Sequence, residues 1–159
     1  MRLRVAGLVV LSAFSVTNAH SQTATGTLNV SITIAATCSV VGATAINFGS
    51  VSAIAANIDQ TSTLTVNCSS TTPYTVSLPV GTGGGTVAAR RMANGANFVT
   101  YGLYSNAART TLWGTGPGET IAGTGTAANQ TLTIYARVPP QTVPPPGVYS
   151  DAVTVTVTY

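Results

Sequence analysis

Hydrophobic and polar residues alternate along much of the chain, and the clearest example lies near the N-terminus. Within residues 27–34, one face carries Leu28, Val30, Ile32 and Ile34, and the other face is polar. A period of two residues predicts a β-strand, and no later segment shows the 3.6-residue period of a long amphipathic helix.

Five further alternating runs predict strands, at residues 62–67, 74–78, 98–104, 130–137 and 153–159. Stretches rich in glycine or proline separate several of them, at residues 81–85, 114–118 and 139–147. Short strands at this spacing are typical of an antiparallel β-sandwich. Since no internal repeat or linker divides the sequence, we predict a single all-β domain.

The run at residues 153–159 has a strongly apolar face, which consists of Val153, Val155, Val157 and Tyr159. A sandwich strand of this kind needs cover on its apolar face, and an edge strand needs protection from aggregation. The run at residues 27–34 is equally apolar. It is able to cover its own domain or that of a neighbouring molecule, and the pattern leaves both arrangements open.

The N-terminus predicts a signal peptide over residues 1–21. Two arginines within the first four residues precede a short apolar stretch, residues 5–16, and small residues follow. Cleavage is expected after Ala19 or, preferably, after Ser21. The apolar stretch is shorter than the roughly 20 residues that span a bilayer. We therefore expect export without membrane insertion of the mature chain.

Charge is scarce in this sequence. Only 6% of residues are charged and 45% are hydrophobic, a composition that argues against intrinsic disorder. Beyond residue 21 the sequence has four arginines and three acidic residues, so the net charge of this part of the chain is close to zero. The pair Arg90 and Arg91 is too small a cluster to displace counterions from phosphates, which argues against nucleic-acid binding.

The residues needed for common catalytic sites are missing. The single histidine, His20, lies within the predicted signal peptide, and lysine is absent. Histidine- or lysine-activated nucleophiles are therefore not expected, nor are metal ligands or cofactors. The acidic residues Asp59, Glu119 and Asp151 remain for a paired-carboxylate mechanism, but Asp151 is better explained as a turn residue or a hydrogen-bonding residue. We predict no enzyme.

Two local features have simpler structural explanations than functional ones. The glycine-rich stretch at residues 81–86 resembles a phosphate-binding loop, but no lysine follows it, and a hairpin loop is predicted instead. Trp113, the single tryptophan, is expected in the core or at its rim, although an indole is also able to stack on a sugar ring.

The two cysteines, Cys38 and Cys68, predict one disulfide. An even cysteine count in an exported chain favours pairing over metal binding, and no CxxC redox motif is present.

Several segments, taken in order, resemble the spore coat U (secreted pilin) family, whose members are similar to subunits of archaic chaperone–usher pili. They are residues 46–51 (INFGSV), 61–68 (TSTLTVNC), 73–78 (PYTVSL), 101–114 (YGLY through AART to WG) and 147–159 (GVYSD to the final tyrosine). Each segment is short, but the ordered set is specific and extends from about Thr25 onwards.

This resemblance implies an incomplete immunoglobulin-like β-sandwich that is completed by donor-strand exchange. Residues 22–37 would be the donor extension and residues 38–159 the pilin domain. The donor positions would be Leu28, Val30, Ile32 and Ile34. The edge that accepts first a periplasmic chaperone and then a donor strand would consist of Val153, Val155, Val157 and Tyr159.

The function expected from this resemblance is that of a structural subunit. The chain would pass through the periplasm with a chaperone and an outer-membrane usher, polymerise with copies of itself or related pilins at the cell surface, and support adhesion or biofilm formation. The alternative is a monomeric or tip-located adhesive module that binds carbohydrate or a surface. Size-exclusion chromatography distinguishes the two, because only the first forms ladders or fibres.

Overall fold

The computed structural model describes residues 20–159. The predicted signal peptide, residues 1–21, thus lies outside the described residues except for its last two. The chain divides into two units after Thr33. In the first unit the described residues contain no strand, and Leu28, Val30 and Ile32 are each 87% exposed. The strand predicted at residues 27–34 is therefore not formed, because alternation produces a strand only where another strand pairs with it.

The second unit contains nine β-strands and, within residues 34–159, no helix. The strands are β1 (Cys38–Ala43), β2 (Ile58–Cys68), β3 (Pro73–Ser77), β4 (Gly85–Thr86), β5 (Ala89–Asn94), β6 (Asn97–Tyr104), β7 (Ile121–Thr124), β8 (Asn129–Val138) and β9 (Thr156–Thr158). Every pair of neighbouring strands is antiparallel. The predicted all-β antiparallel class is confirmed.

The strands form a six-stranded sheet and a three-stranded sheet. Their orders are β1-β2-β8-β6-β5-β4 and β7-β3-β9. The longest pairing, between β2 and β8, runs without a break from Ile58 opposite Val138 to Asn67 opposite Asn129. This register places one face of both strands in the core, because side chains two residues apart share a face.

The core lies between the two sheets and includes Trp113. Its buried side chains include Leu64, Val66, Tyr74, Val76, Leu103, Ile134 and Val138. Trp113 is fully buried, and its Nε1–H donates a hydrogen bond to the Val76 carbonyl at 3.0 Å. A buried indole with a satisfied N–H serves packing rather than sugar stacking, as the sequence predicts.

Four of the predicted strands correspond to β2, β3, β6 and β8, with boundaries that differ by a few residues. The strands β1, β4, β5 and β7 were not predicted. In β5 the core-facing positions include Arg90, which is fully buried, so the strand does not show an apolar alternation. The strand predicted at residues 153–159 is also shorter, because β9 covers only Thr156–Thr158.

Candidate functional site

Each of the two sheets ends in a strand with one unpaired edge. β1 is the last strand of one sheet and β9 the last strand of the other. β1 pairs only with β2, and β9 pairs only with β3, so one backbone edge of each lacks a partner strand within the described chain. An edge of this kind is able to accept an added strand.

A groove begins where the chain leaves β1. The Thr44 N–H still donates to the Thr63 carbonyl at 2.9 Å, and the following residues then form the first wall of the groove (residues 43–48). The second wall, residues 149–155, leads into β9. The space between the walls has a volume of about 320 Å³. Its apolar lining consists of Ile46, Phe48, Leu78, Met92, Leu103, Ile134, Val153 and Val155.

The groove continues past the first wall into a second cavity of about 500 Å³. Ile46, Phe48, Met92 and Tyr149 line both spaces. At the outer end, Val51, Val143 and Val148 are exposed. An apolar channel of this extent that is open to water indicates a surface for binding another chain.

The four predicted edge residues differ in burial. Val153, Val155 and Val157 are half-buried against the core, and the threonines between them are exposed. Tyr159 is 60% exposed and does not share the buried face of the valines. β9 begins only at Thr156 because its partner β3 ends at Ser77, opposite Thr156, and Pro79 soon follows. Proline has no N–H to extend a ladder.

Asp151 connects the second wall to the rest of the domain. Its Oδ1 accepts hydrogen bonds from the Gly83 N–H at 2.7 Å and the Ala152 N–H at 2.8 Å, and from the Thr82 hydroxyl at 3.2 Å. Its Oδ2 accepts from the Tyr101 hydroxyl at 2.6 Å. Burial, together with this hydrogen bond, raises the pKa of Tyr101 above its usual value. The prediction of a hydrogen-bonding role for Asp151 is confirmed.

Arg90 is fully buried, and its sequence position does not predict the role that it has. Its guanidinium donates to four backbone carbonyls, those of Leu78, Pro79, Val87 and Trp113. Burial lowers the pKa of Arg90, while nearby Tyr101, Asp151 and Glu119 oppose this shift. Arginine nevertheless stays charged at neutral pH. This side chain joins the segment after β3, the turn between β4 and β5, and the loop that contains Trp113.

The other predicted residues lie outside the groove lining. Cys38 and Cys68 form the predicted disulfide. Ile34, in the second unit, is 87% exposed, as are the three other donor positions in the first unit. Within residues 20–159, no three histidine, cysteine or acidic side chains group together as metal ligands. No helix in that part of the chain is long and apolar enough to cross a membrane.

Comparisons with known proteins point to one family. The model of the Spore Coat Protein U domain matches residues 24–156. No curated protein matches this chain. A chain in the crystal structure of the CsuC–CsuE chaperone–tip adhesion subunit pre-assembly complex, from archaic chaperone–usher Csu pili of Acinetobacter baumannii, has a similar fold, with a TM-score of 0.59 and 23% sequence identity. The match covers 80% of this chain but only 41% of that one.

Proposed function

This chain belongs to the Spore Coat Protein U domain family, and we propose that it is a structural subunit of an exported surface pilus or coat that polymerises by donor-strand complementation. The observation that carries the proposal is the open apolar groove between residues 43–48 and 149–155, which follow β1 and precede β9. Because each of these two strands has one unpaired backbone edge, the groove suits an occupant that provides both main-chain hydrogen bonds and apolar side chains.

The proposed occupant is the segment of residues 22–37 from a second copy. Within it, Leu28, Val30, Ile32 and Ile34 alternate along one face, and each is 87% exposed. Inserted as a strand, this segment would pair with the exposed backbone edges and place every second side chain in the groove. Burial of four such side chains would contribute about 6–10 kcal/mol before the entropic cost of ordering the segment.

The proposal assigns a role to each part of the sequence. Residues 1–21 direct export and are removed, residues 22–37 donate, and residues 38–159 accept. While the groove is empty, its apolar lining would favour aggregation. We therefore infer that a periplasmic chaperone covers it before an outer-membrane usher assembles the fibre. The similarity in fold to a chain of a chaperone–subunit complex supports this arrangement. The assembled fibre would act at the cell surface in adhesion or biofilm formation.

The test compares two substitutions on opposite faces of the same segment. The chain is expressed with its chaperone and usher, and surface fibres are examined by electron microscopy and size-exclusion chromatography. Ile32→Asp would place an unpaired carboxylate in an apolar groove, at a cost of roughly several kcal/mol, and should abolish fibres while subunit folding is retained. Ser31→Asp, on the polar face, should leave fibres intact.

Two outcomes would contradict the proposal. Normal fibres from the Ile32→Asp variant would show that residues 27–34 do not enter a neighbour. A stable monomer from the unmodified chain, with no fibre under any condition of expression, would instead favour a monomeric adhesive module.

A further inference from the structure

We propose that Asp151 is the positioning residue of the strand-accepting groove, and that the glycine-rich loop at residues 81–85 is shaped to hold its carboxylate. This inference rests on the proposed function, because it concerns how the groove is prepared for its occupant. It also assigns a role to the glycine-rich stretch, which resembles a phosphate loop in sequence only.

The second wall of the groove has little regular structure to hold it. Residues 151–155, which provide Asp151, Val153 and Val155 to the lining, belong to no strand. Ser150 bridges to Ala93 through two backbone hydrogen bonds, and the Thr82 N–H donates to the Ala152 carbonyl at 3.0 Å. These contacts hold the start of the wall, and the pairing of β9 with β3 holds its end, after the two valines.

Asp151 provides three of the seven hydrogen bonds that join residues 150–152 to other elements of the domain. Its carboxylate accepts from two loop residues, Thr82 and Gly83, and from Tyr101 of β6, so it connects the wall to two separate elements of the domain. Hydrogen bonds to a charged acceptor are stronger than those between neutral groups. Buried Arg90 adds a favourable charge in the same region.

Gly81 leaves space for the carboxylate, and Gly83 lets the loop pass close to the backbone of β5. A Cβ placed on Gly81 would lie 2.1 Å from Oδ2 of Asp151, and one placed on Gly83 would lie 1.8 Å from the Arg91 carbonyl oxygen. Gly84 and Gly85 have φ angles of +80° and +92°, in the region that favours glycine. The loop therefore bends around the side chain of Asp151 in a way that larger residues would prevent.

The consequence is that Asp151 should control how tightly the groove retains a strand, separately from overall stability. Val153 and Val155 lie two and four residues after Asp151 and line the groove directly. When the contacts of the carboxylate are lost, these valines would sample several positions. The entropic cost of ordering these valines would then reduce the free energy of strand binding.

The experiment measures retention of a labelled peptide that corresponds to residues 25–37. The full chain carrying Ile32→Asp, which cannot fill a neighbour, is refolded with excess labelled peptide. Release is then followed by fluorescence anisotropy after addition of unlabelled peptide. In this background, Asp151→Asn should accelerate release about tenfold. Tyr101→Phe, which removes a single partner of the carboxylate, should accelerate peptide release about fivefold. If the Asp151→Asn variant does not fold, Tyr101→Phe takes its place in the test.

A core variant outside the groove lining provides the control for general loss of stability. Val66→Ala removes buried methyl groups in β2, and it should lower the unfolding midpoint without changing peptide release. Equal release rates for the reference chain and the Asp151 and Tyr101 variants would overturn the inference and leave the proposed function intact. Acceleration by Val66→Ala to the same extent would also overturn it. If the reference chain retains no peptide at all, the proposed function itself fails.

Discussion

Cys38, the first residue of β1, lies opposite Cys68, the last residue of β2, and a disulfide joins the two. The ladder continues one step further, because the Ser69 N–H donates to the Thr37 carbonyl at 2.9 Å. Thr37 also donates its own N–H to the Ser69 hydroxyl at 3.0 Å. The covalent bond and these hydrogen bonds fix the backbone where the proposed donor segment, which ends at Thr37, meets the sandwich.

We expect the disulfide to stabilise the domain by closing a loop with a sequence separation of 30 residues. The chain-entropy model assigns such a loop about 3.5 kcal/mol. The double variant with Cys38→Ala and Cys68→Ala should lose about this much free energy of unfolding in urea, whereas Ser39→Ala should lose far less. Mass spectrometry without reductant should detect no free thiol in folded chain, and two alkylatable cysteines would contradict the pairing.

The second wall of the groove offers a matched pair of substitutions. Val155 is half-buried and lines the groove, whereas the adjacent Thr154 is exposed on the opposite face. Val155→Asp would bury an unpaired carboxylate beneath the inserted strand, at a cost of at least about 2 kcal/mol. We expect it to abolish acceptance of the labelled peptide, as measured by anisotropy, and Thr154→Asp to leave acceptance unchanged. Equal retention by both variants would place the donor strand elsewhere.

The sequence pattern predicts the centre of the fold well. The strands β2, β6 and β8 alternate in a regular way because one face of each is covered by the core. β3 is found for the same reason, through Tyr74 and Val76. The disulfide is also predictable from the sequence, because each of the two cysteines has one possible partner.

The groove and its supports could not be predicted in the same way. Residues 43–48 and 149–155 form the walls without being strands along most of their length, so no periodicity marks them as neighbours. Arg90 takes an inward position where a pattern search expects an apolar residue, and backbone carbonyls satisfy it. The role of Asp151 depends on contacts with a loop that is distant in the sequence, because Thr82 lies 69 residues before Asp151. A local pattern does not reveal such a contact.

The outward face of the long β2–β8 pair carries an ion cluster with a predictable pH dependence. Asp59 accepts two hydrogen bonds from Arg137, at 2.7 and 2.8 Å, and lies 3.3 Å from Arg109. The Arg137 hydrogen bonds hold the pKa of Asp59 below its ordinary value near 3.9. Because the folded-state pKa is depressed, this contribution is fully present above about pH 4 and is lost as the pH falls through the folded-state pKa.

We therefore expect Asp59→Asn to lower the urea midpoint slightly at neutral pH, since surface ion pairs contribute little. The difference from the unmodified chain should shrink as the pH falls below about 4 and disappear in stronger acid. Peptide release should be unchanged, because Asp59 does not line the groove. The assignment would be wrong if the two chains differed by the same amount across the whole pH range.

We expect β9 to be the edge that partner strands recognise. β9 pairs Thr156 with Ser77 and Thr158 with Thr75, so it covers one side of β3, and Val157 packs against the core. Deletion of residues 156–159 would remove this cover, expose the edge of β3, and take away the backbone that a chaperone strand or a donor strand would extend. We expect the truncated chain to lose chaperone binding in pull-down assays and to be degraded in the periplasm. Thr158→Ser, which changes an exposed side chain only, should behave as the unmodified chain. If the truncated chain accumulated as a stable monomer without a chaperone, the sandwich would be complete without β9, and the monomeric adhesive module would become the better explanation of its function.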